Sequence, residues 1–508
     1  MRTLRRHGLP PTRSFAVLAI VCVGGVGATA CSSSSKGSPP VTAATTTTQP
    51  RPAGPAADMS TELTAGKGVF MGEGTPPDLG KDGYVQREYV ASGTATAYKE
   101  AGTPTHDGRW TFEPDTHAAY RTRVVVRAPA DNSKFSGHVI AEWLNVSGGV
   151  DANPEWTSTS EEIVRSGDIW VGVSAQRIGV EGGPVLVKVS GVAGADAAGK
   201  GLKKIDPARY GSLEHPGDGY SYDIYTQVAR AVRNGAGLDG LKPQRLIAAG
   251  ESQSAFALVT YYNGVQPLTH AFDGFFVHSR GAGGLPLVTG DKPADIAGAI
   301  GSTATIFRTD QNAPVLDIQT ETDLTSILDS YAARQPDNDR FRLWEVPGTA
   351  HADAHLVGAG ASAIDCGVPI NNGPMHIVAK AALHDLVAWL TTGTAPPHAP
   401  RIDVAPGATP QIQRNSDGIA LGGIRTPPVD VPVATLSGVP GPNPSTICLL
   451  LGSTKPFSDA RLAQLYPSRA VYTQRYDADA DAAIKAGFVL AADRAALLGF
   501  AEPSRIPS

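Results

Sequence analysis

From about Tyr84 onward, apolar and polar positions fall into two alternating patterns. YVQREYVASGTATAY (84–98) and RTRVVVRAP (121–129) alternate with a period of two, the mark of half-buried strands. HVIAEWLN (138–145) and IWVGVSAQ (169–176) are almost continuously apolar, as expected of strands covered on both faces. RLIAAG (245–250), FDGFFVHSR (272–280), PVLDIQTETD (314–323) and FRLWEVPG (341–348) continue the strand series. Helical spacing lies between them. TSTSEEIVRSG (157–167) predicts a helix with a Ser/Thr N-cap, acidic residues in its first turn and a glycine stop. YSYDIYTQVARAVRN (220–234), SAFALVTYYNG (254–264) and HIVAKAALHDLVAWLTTG (376–393) predict three more helices. Such alternation predicts an α/β fold: a mainly parallel central sheet with helices on both faces, its first two strands antiparallel at one edge. Two segments escape the alternation, an insertion at 281–307 and everything after about Arg401. Both are expected to cover the opening of any site on the sheet.

Composition narrows this picture. A chain of 508 residues holds one large α/β domain with additions as readily as two domains. Its 57 glycines and 40 prolines imply too many loops for a helical bundle. Basic and acidic residues number 43 and 48, and no Lys/Arg block follows the first residues, so nucleic acid is not expected as a partner.

The N-terminus reads as an export signal. Arg2, Arg5, Arg6 and Arg13 precede an apolar run at 15–30, shorter than the ~20 residues of a spanning helix and rich in Gly and Ala near its end. The run stops at Cys31, preceded by Ala28, Thr29 and Ala30. Small residues before a cysteine resemble a bacterial lipobox, in which the thiol is lipidated and becomes the new N-terminus. Ala28 stands where that pattern usually has Leu. The alternative is ordinary cleavage at an A-x-A site, leaving Cys31 a free thiol. SSSSKGSPPVTAATTTTQPRPAGPA (32–56) has almost no large apolar residue and predicts a disordered tether, since it cannot offset its own chain entropy by burial. Cys22 would leave with the signal. That leaves Cys366 and Cys448, which in an oxidising compartment are expected to pair; two buried unpaired thiols are the alternative.

In a parallel sheet, ligand-binding and reactive groups gather at the carboxyl ends of the strands. Ser252 follows RLIAAG inside GESQSA, Glu321 and Asp323 follow PVLDIQT, and His351 follows FRLWEVPG. A serine hydroxyl is a weak nucleophile unless a base takes its proton. Histidine titrates near neutrality and can take that proton and return it, while a carboxylate fixes the imidazole tautomer. Asp323 is the preferred acid and Glu321 the runner-up. HADAH offers His355 as a second histidine, but His351 lies nearer the strand end. The HxxxH spacing lacks the glutamate of a metalloprotease motif, so no metal is expected. Amides at Gln253, Asn145 and Val146 are the expected oxyanion donors, the latter two from the glycine-containing loop NVSGG. The familiar nucleophile elbow is G-x-S-x-G; Ser254 replaces its last glycine.

The order Ser, acid, His resembles that of the α/β-hydrolase superfamily. The stretches EWLNVSGG, GESQSA, QTETD, FRLWEVPGTAHAD, CGVPINNGPMH, GGIRTPPVDVP and YPSRAVY resemble a bacterial family of long exported proteins, the "alpha/beta hydrolase domain" family. The resemblance spans roughly Tyr84 to the C-terminus and implies a hydrolase fold with esterase-like activity, without naming a substrate. The expected organisation is a signal peptide at 1–30, a linker at 31–60 following lipidated Cys31, a hydrolase domain at 61–400, and a C-terminal extension at 401–508 packed upon it. The expected function is an exported, lipid-anchored serine hydrolase on the outer face of the bacterial cell membrane. It would cleave a small-molecule carboxylic ester through an acyl-enzyme, without a cofactor, touching the membrane through its lipid alone. An acyltransferase using the same residues and a non-catalytic surface binding lipoprotein are the alternatives.

Overall fold

The computed structural model describes residues 51–189, 195–407 and 409–507. The expected signal peptide at 1–30, Cys31 and the first part of the expected linker lie outside the described residues. Nine strands form one sheet: β1 (Asp58–Glu62), β2 (Tyr84–Glu100), β3 (Phe112–Pro129), β4 (His138–Trp143), β5 (Ile169–Val173), β6 (Arg245–Glu251), β7 (Gly274–His278), β8 (Val315–Thr320) and β9 (Phe341–Val346). Their spatial order is β1-β2-β3-β5-β4-β6-β7-β8-β9. β1, β2 and β3 are antiparallel, β3 pairs antiparallel with β5, and β5 through β9 run parallel. The parallel sheet with an antiparallel edge is the architecture the alternation predicts. β1 corrects the linker boundary. Asp58 to Glu62 pair with β2, and the Ala57 amide donates to the Gln227 carbonyl, so the last residues of the segment read as linker belong to the sheet. Met59 and Leu63 are buried there, and those two apolar side chains supply the surface the preceding Ser/Thr/Pro tract lacks.

Alternate residues of the central strands serve opposite faces. Val139, Ala141 and Trp143 of β4 join one apolar cluster with Tyr225, Tyr261 and Phe275. Ile140 faces a second cluster with Trp170, Trp344, Leu386 and Trp389. Both faces are therefore dry, which explains the unbroken apolar runs. One polar residue interrupts them. Glu142 of β4 is fully buried, and its carboxylate accepts hydrogen bonds from the amides of Glu155 and Trp156 and from Trp170 Nε1. It thereby caps the helix α1 (Pro154–Ser166) from a neighbouring strand, where a Ser/Thr cap was expected from 157–167; the helix starts earlier, behind Asn153, and stops at Gly167 as read. Burial, reinforced by the Glu155 charge, pushes the Glu142 carboxyl up to about 8.

Three further helices position the site: α2 (Ser221–Arg233), α3 (Gln253–Thr260) and α4 (Met375–Thr392). The C-terminal stretch folds back over α1 and α4. Asp493 binds Arg165 of α1 and Lys380 of α4, and Ile377 packs with Ala480, Ala483, Val489 and Leu497. A disulfide joins Cys366 to Cys448, with Cα atoms 5.4 Å apart and a sequence separation of 82. Cross-links over spans of this order stabilise by ~4–5 kcal/mol in the chain-entropy view. Among the described residues, no helix is long and apolar enough to cross a membrane.

Candidate active site

β6 delivers its last residue, Glu251, to the carboxyl edge of the sheet, and α3 begins at Gln253. Between them Ser252 adopts φ 61° and ψ −121°, a left-handed conformation that costs a non-glycine residue of order 1–3 kcal/mol. The turn persists because the strand pairing before it and the helix after it leave no alternative; the Ser252 amide also donates to the His278 carbonyl at 3.0 Å. A Cβ added at Gly250 would meet the Ser254 Cβ at 3.0 Å and Leu258 Cδ1 at 3.2 Å. The close approach is thus between position 250 and the first turn of α3. Ser254, inside that helix, needs only to be small, so its departure from the G-x-S-x-G pattern is tolerated.

The Ser252 Oγ lies 2.8 Å from His351 Nε2, and His351 Nδ1 lies 2.7 Å from Asp323 Oδ1. With Nδ1–H donating to the carboxylate, Nε2 is free to accept from the serine hydroxyl. The other Asp323 oxygen accepts from the Thr320 amide and hydroxyl, both at 2.7 Å, in a capping box at the end of β8. Burial alone would raise the Asp323 carboxyl, but the His351 charge and the hydrogen bonds from His351 and Thr320 outweigh it and hold the carboxyl below its ordinary value. An ionised, fixed acceptor is what an imidazole needs to be held in one tautomer.

Glu321, the runner-up acid, points elsewhere. Its carboxylate binds Arg414, the Ser437 hydroxyl and the amides of Gly438 and Gly348. It fastens the C-terminal stretch to the loop that carries His351, a bracing role invisible in the sequence because three of its partners lie more than 90 residues away. His355 is likewise excluded as the base: its Nε2 donates to the Thr157 carbonyl and its ring stacks on His376 with centroids 3.7 Å apart.

Two of the expected oxyanion donors are corrected. The Asn145 amide donates to the Ala152 carbonyl, and the Val146 amide donates to the Gln253 side-chain oxygen at 3.2 Å. Both are spent in holding the loop in place. The Asn145 side chain adds to this, donating to the Glu251 carbonyl and accepting from the Ser147 amide and hydroxyl. The Gln253 amide does occupy the first turn of α3, beside Ser252, where N–H groups lack partners within the helix.

A cavity of about 200 Å³ opens over Ser252 and His351. Its walls come from Gly72 and Gly74 of the connection between β1 and β2, Gly148 of the NVSGG loop, Val187, Leu356, and Ile447 and Leu450 of the C-terminal extension. The extension covers the site as expected. The 281–307 insertion does not: Leu285, Ala294 and Ile296 pack into the core around α2, and the Ala294 amide is held by Asp218. The wall residues Val187 and Ile447 carried no sequence signal, since each sits in a short apolar run, VLV and ICLLL, that reads as ordinary core.

The sequence profile described as "Alpha/beta hydrolase domain" matches residues 47–499, nearly the whole chain. The chain belongs to the alpha/beta hydrolase domain family. The α/β-hydrolase fold of this family member accounts for the strand order and for the Ser, acid, His succession at the sheet edge. No curated relative matches its sequence. Among solved structures, it is similar to an α/β serine hydrolase without a lid from Xanthomonas campestris, at 16% identity over 59% of this chain and 95% of that one, with a TM-score of 0.30. A fungal esterase from Rhizomucor miehei is similar at 11% identity over 60% and 84% of the two chains, with a TM-score of 0.31. Carboxyl esterase 2 from Tuber melanosporum is similar at 11% identity over 57% and 88%, with a TM-score of 0.27.

Proposed function

We propose that this α/β-hydrolase is a carboxylic ester hydrolase that works through a covalent acyl-enzyme. The observation that carries the reading is the Ser252–His351–Asp323 hydrogen-bonded chain, set on a strained turn that faces a cavity. Ser252 Oγ attacks the ester carbonyl while His351 Nε2 takes its proton. The tetrahedral oxyanion is stabilised by the Gln253 amide at the start of α3 and by a second amide from the NVSGG loop, for which Gly148 replaces Asn145 and Val146. His351 returns the proton to the departing alkoxide, leaving an acyl group on Ser252. Water, deprotonated by His351, then releases the acid and restores the serine.

The cavity argues for short acyl chains. Its volume of about 200 Å³ is below the roughly 300–1,000 Å³ of pockets that take drug-sized ligands, and its walls are mainly small or aliphatic. Among p-nitrophenyl esters, kcat/KM should peak at two to four acyl carbons (roughly) and fall by at least about tenfold at twelve. A profile that rises continuously with chain length would refute the short-chain reading.

The N-terminal sequence supports export and anchoring by a lipid on Cys31, with the Ser/Thr/Pro tract as tether. Cys31→Ser should move the protein from the membrane fraction to the soluble extracytoplasmic fraction. Retention of the variant in the membrane fraction would count against the anchor.

A further inference from the structure

Directly under the Ser252 turn lies a group of side chains that the hydrolytic chemistry does not use. Glu155 is the second residue of α1, Glu251 ends β6 and His278 ends β7. Parallel pairing sets Glu251 beside His278 in register, so their side chains leave the sheet on the same face, where α1 packs. All three are at least 98% buried. His278 Nδ1 lies 3.5 Å from a Glu155 carboxylate oxygen and 3.4 Å from a Glu251 carboxylate oxygen. Neither approach is a hydrogen bond. Both ring nitrogens of His278, both carboxylate oxygens of Glu155 and one of Glu251 have no hydrogen-bond partner. Buried polar atoms of native proteins are almost always satisfied, so an unpartnered atom from each of three neighbouring side chains points to a common partner.

We propose that Glu155, Glu251 and His278 bind one divalent transition-metal ion of the zinc class. One donor atom from each residue lies within 4.8 Å of the others, close enough to surround a single ion. Zinc holds nitrogen and carboxylate oxygen at about 2.0–2.2 Å, which puts neighbouring ligands of a tetrahedron roughly 3.3–3.5 Å apart. The two contacts of His278 match that edge length and are too long for hydrogen bonds to a carboxylate. Two carboxylates and an imidazole suit zinc and related borderline ions, and a 2+ charge balances the two buried carboxylates. Glu251 and Pro154 border the cavity over Ser252, which would be the route by which an ion and a water ligand reach the group.

The ion takes no part in bond cleavage. It ties the ends of β6 and β7 to the start of α1 and so fixes the residue on which the Ser252 turn is built. Glu251 and its partners are positioning residues. This inference is independent of the ester-hydrolase reading, and its test reads metal rather than turnover.

The full-length protein, stripped with a chelator and shown by circular dichroism to remain folded, is dialysed against Zn²⁺, passed through a desalting column and assayed by elemental analysis. About one zinc ion per chain is expected, with a rise in thermal midpoint on adding Zn²⁺. His278→Ala and Glu155→Gln should each lower retained zinc about tenfold or more and abolish the thermal shift, while Ser252→Ala keeps both. Replacing zinc by Co²⁺ should produce the visible absorption bands of a tetrahedral site in the wild-type chain and not in the variants. A folded wild-type chain that retains no zinc and shows no thermal shift overturns the proposal and leaves shared protons as what holds the three side chains together. Equal zinc retention in folded His278→Ala would also overturn it. Should the variants fail to fold, the zinc content and cobalt spectrum of the wild-type chain decide alone.

Discussion

Ser252→Ala should abolish labelling by a fluorophosphonate probe and lower kcat toward p-nitrophenyl acetate by about 10⁴- to 10⁶-fold, with little change in thermal midpoint. The size of the effect follows from the geometry. Ser252 is the one hydroxyl within hydrogen-bond reach of His351 Nε2 among the described residues, and no neighbouring hydroxyl can substitute for it. Ser254, two residues on, is fully buried with its oxygen turned into the protein, so it offers no alternative nucleophile. Alanine keeps the Cβ and therefore the same left-handed strain at position 252 that serine already bears, which is why stability should hold. Labelling that survives the substitution would remove Ser252 as the nucleophile. A folded wild-type chain that neither labels nor hydrolyses any ester of the series would instead favour a non-catalytic binding role for the fold.

Asp323 and Glu321, two residues apart, should behave in opposite ways. Asp323→Asn removes the charge that fixes the His351 tautomer and should lower kcat by about 10⁴-fold. Glu321→Gln leaves the relay intact and weakens the brace to Arg414, at a cost of ~2–3 kcal/mol in stability and little in kcat. The same contrast extends to pH. The folded-state pKa of Asp323 is depressed, so its ionised form contributes stability above the unfolded value of about 3.9, and that contribution is lost as pH falls through the folded value. Thermal midpoints measured from neutrality down to about pH 3 should therefore fall less steeply at the acid end in Asp323→Asn than in the wild type. Thermal midpoints and kcat for both variants check all of this, and a Glu321→Gln variant as inactive as Asp323→Asn would reverse the assignment.

How much of this was legible beforehand differs from element to element. Ser252, Asp323 and His351 were readable because each follows an apolar run at the end where parallel strands present their reactive groups, and because their order matches the chemistry. The choice between Asp323 and Glu321 was also readable, from distance past the strand end, but Glu321's real task was not. β1 was missed because Asp58 to Glu62 is a polar five-residue edge strand with one buried side chain, too little periodicity to separate it from the Ser/Thr/Pro tract before it. Asn145 and Val146 were plausible donors on position alone. Their amides proved to be consumed by Ala152 and by the Gln253 side chain, neither of which a linear reading can pair with them.

Local pattern thus encodes which residues are buried, which elements they build and which strand ends carry reactive groups, since hydrophobic periodicity and turn chemistry act over a few residues at a time. The α/β architecture, the antiparallel edge and the position of the serine turn all follow from that. Contacts between residues far apart in the chain depend instead on which strands become neighbours and in what register. That is why Glu142 capping α1, Glu321 bracing the C-terminal stretch, Ile447 walling the cavity and the meeting of Glu155, Glu251 and His278 emerge only once the sheet is assembled. Each of them is a buried charge or an apolar side chain that no periodicity explains, and each is satisfied, or left seeking a partner, by groups that folding alone brings within reach.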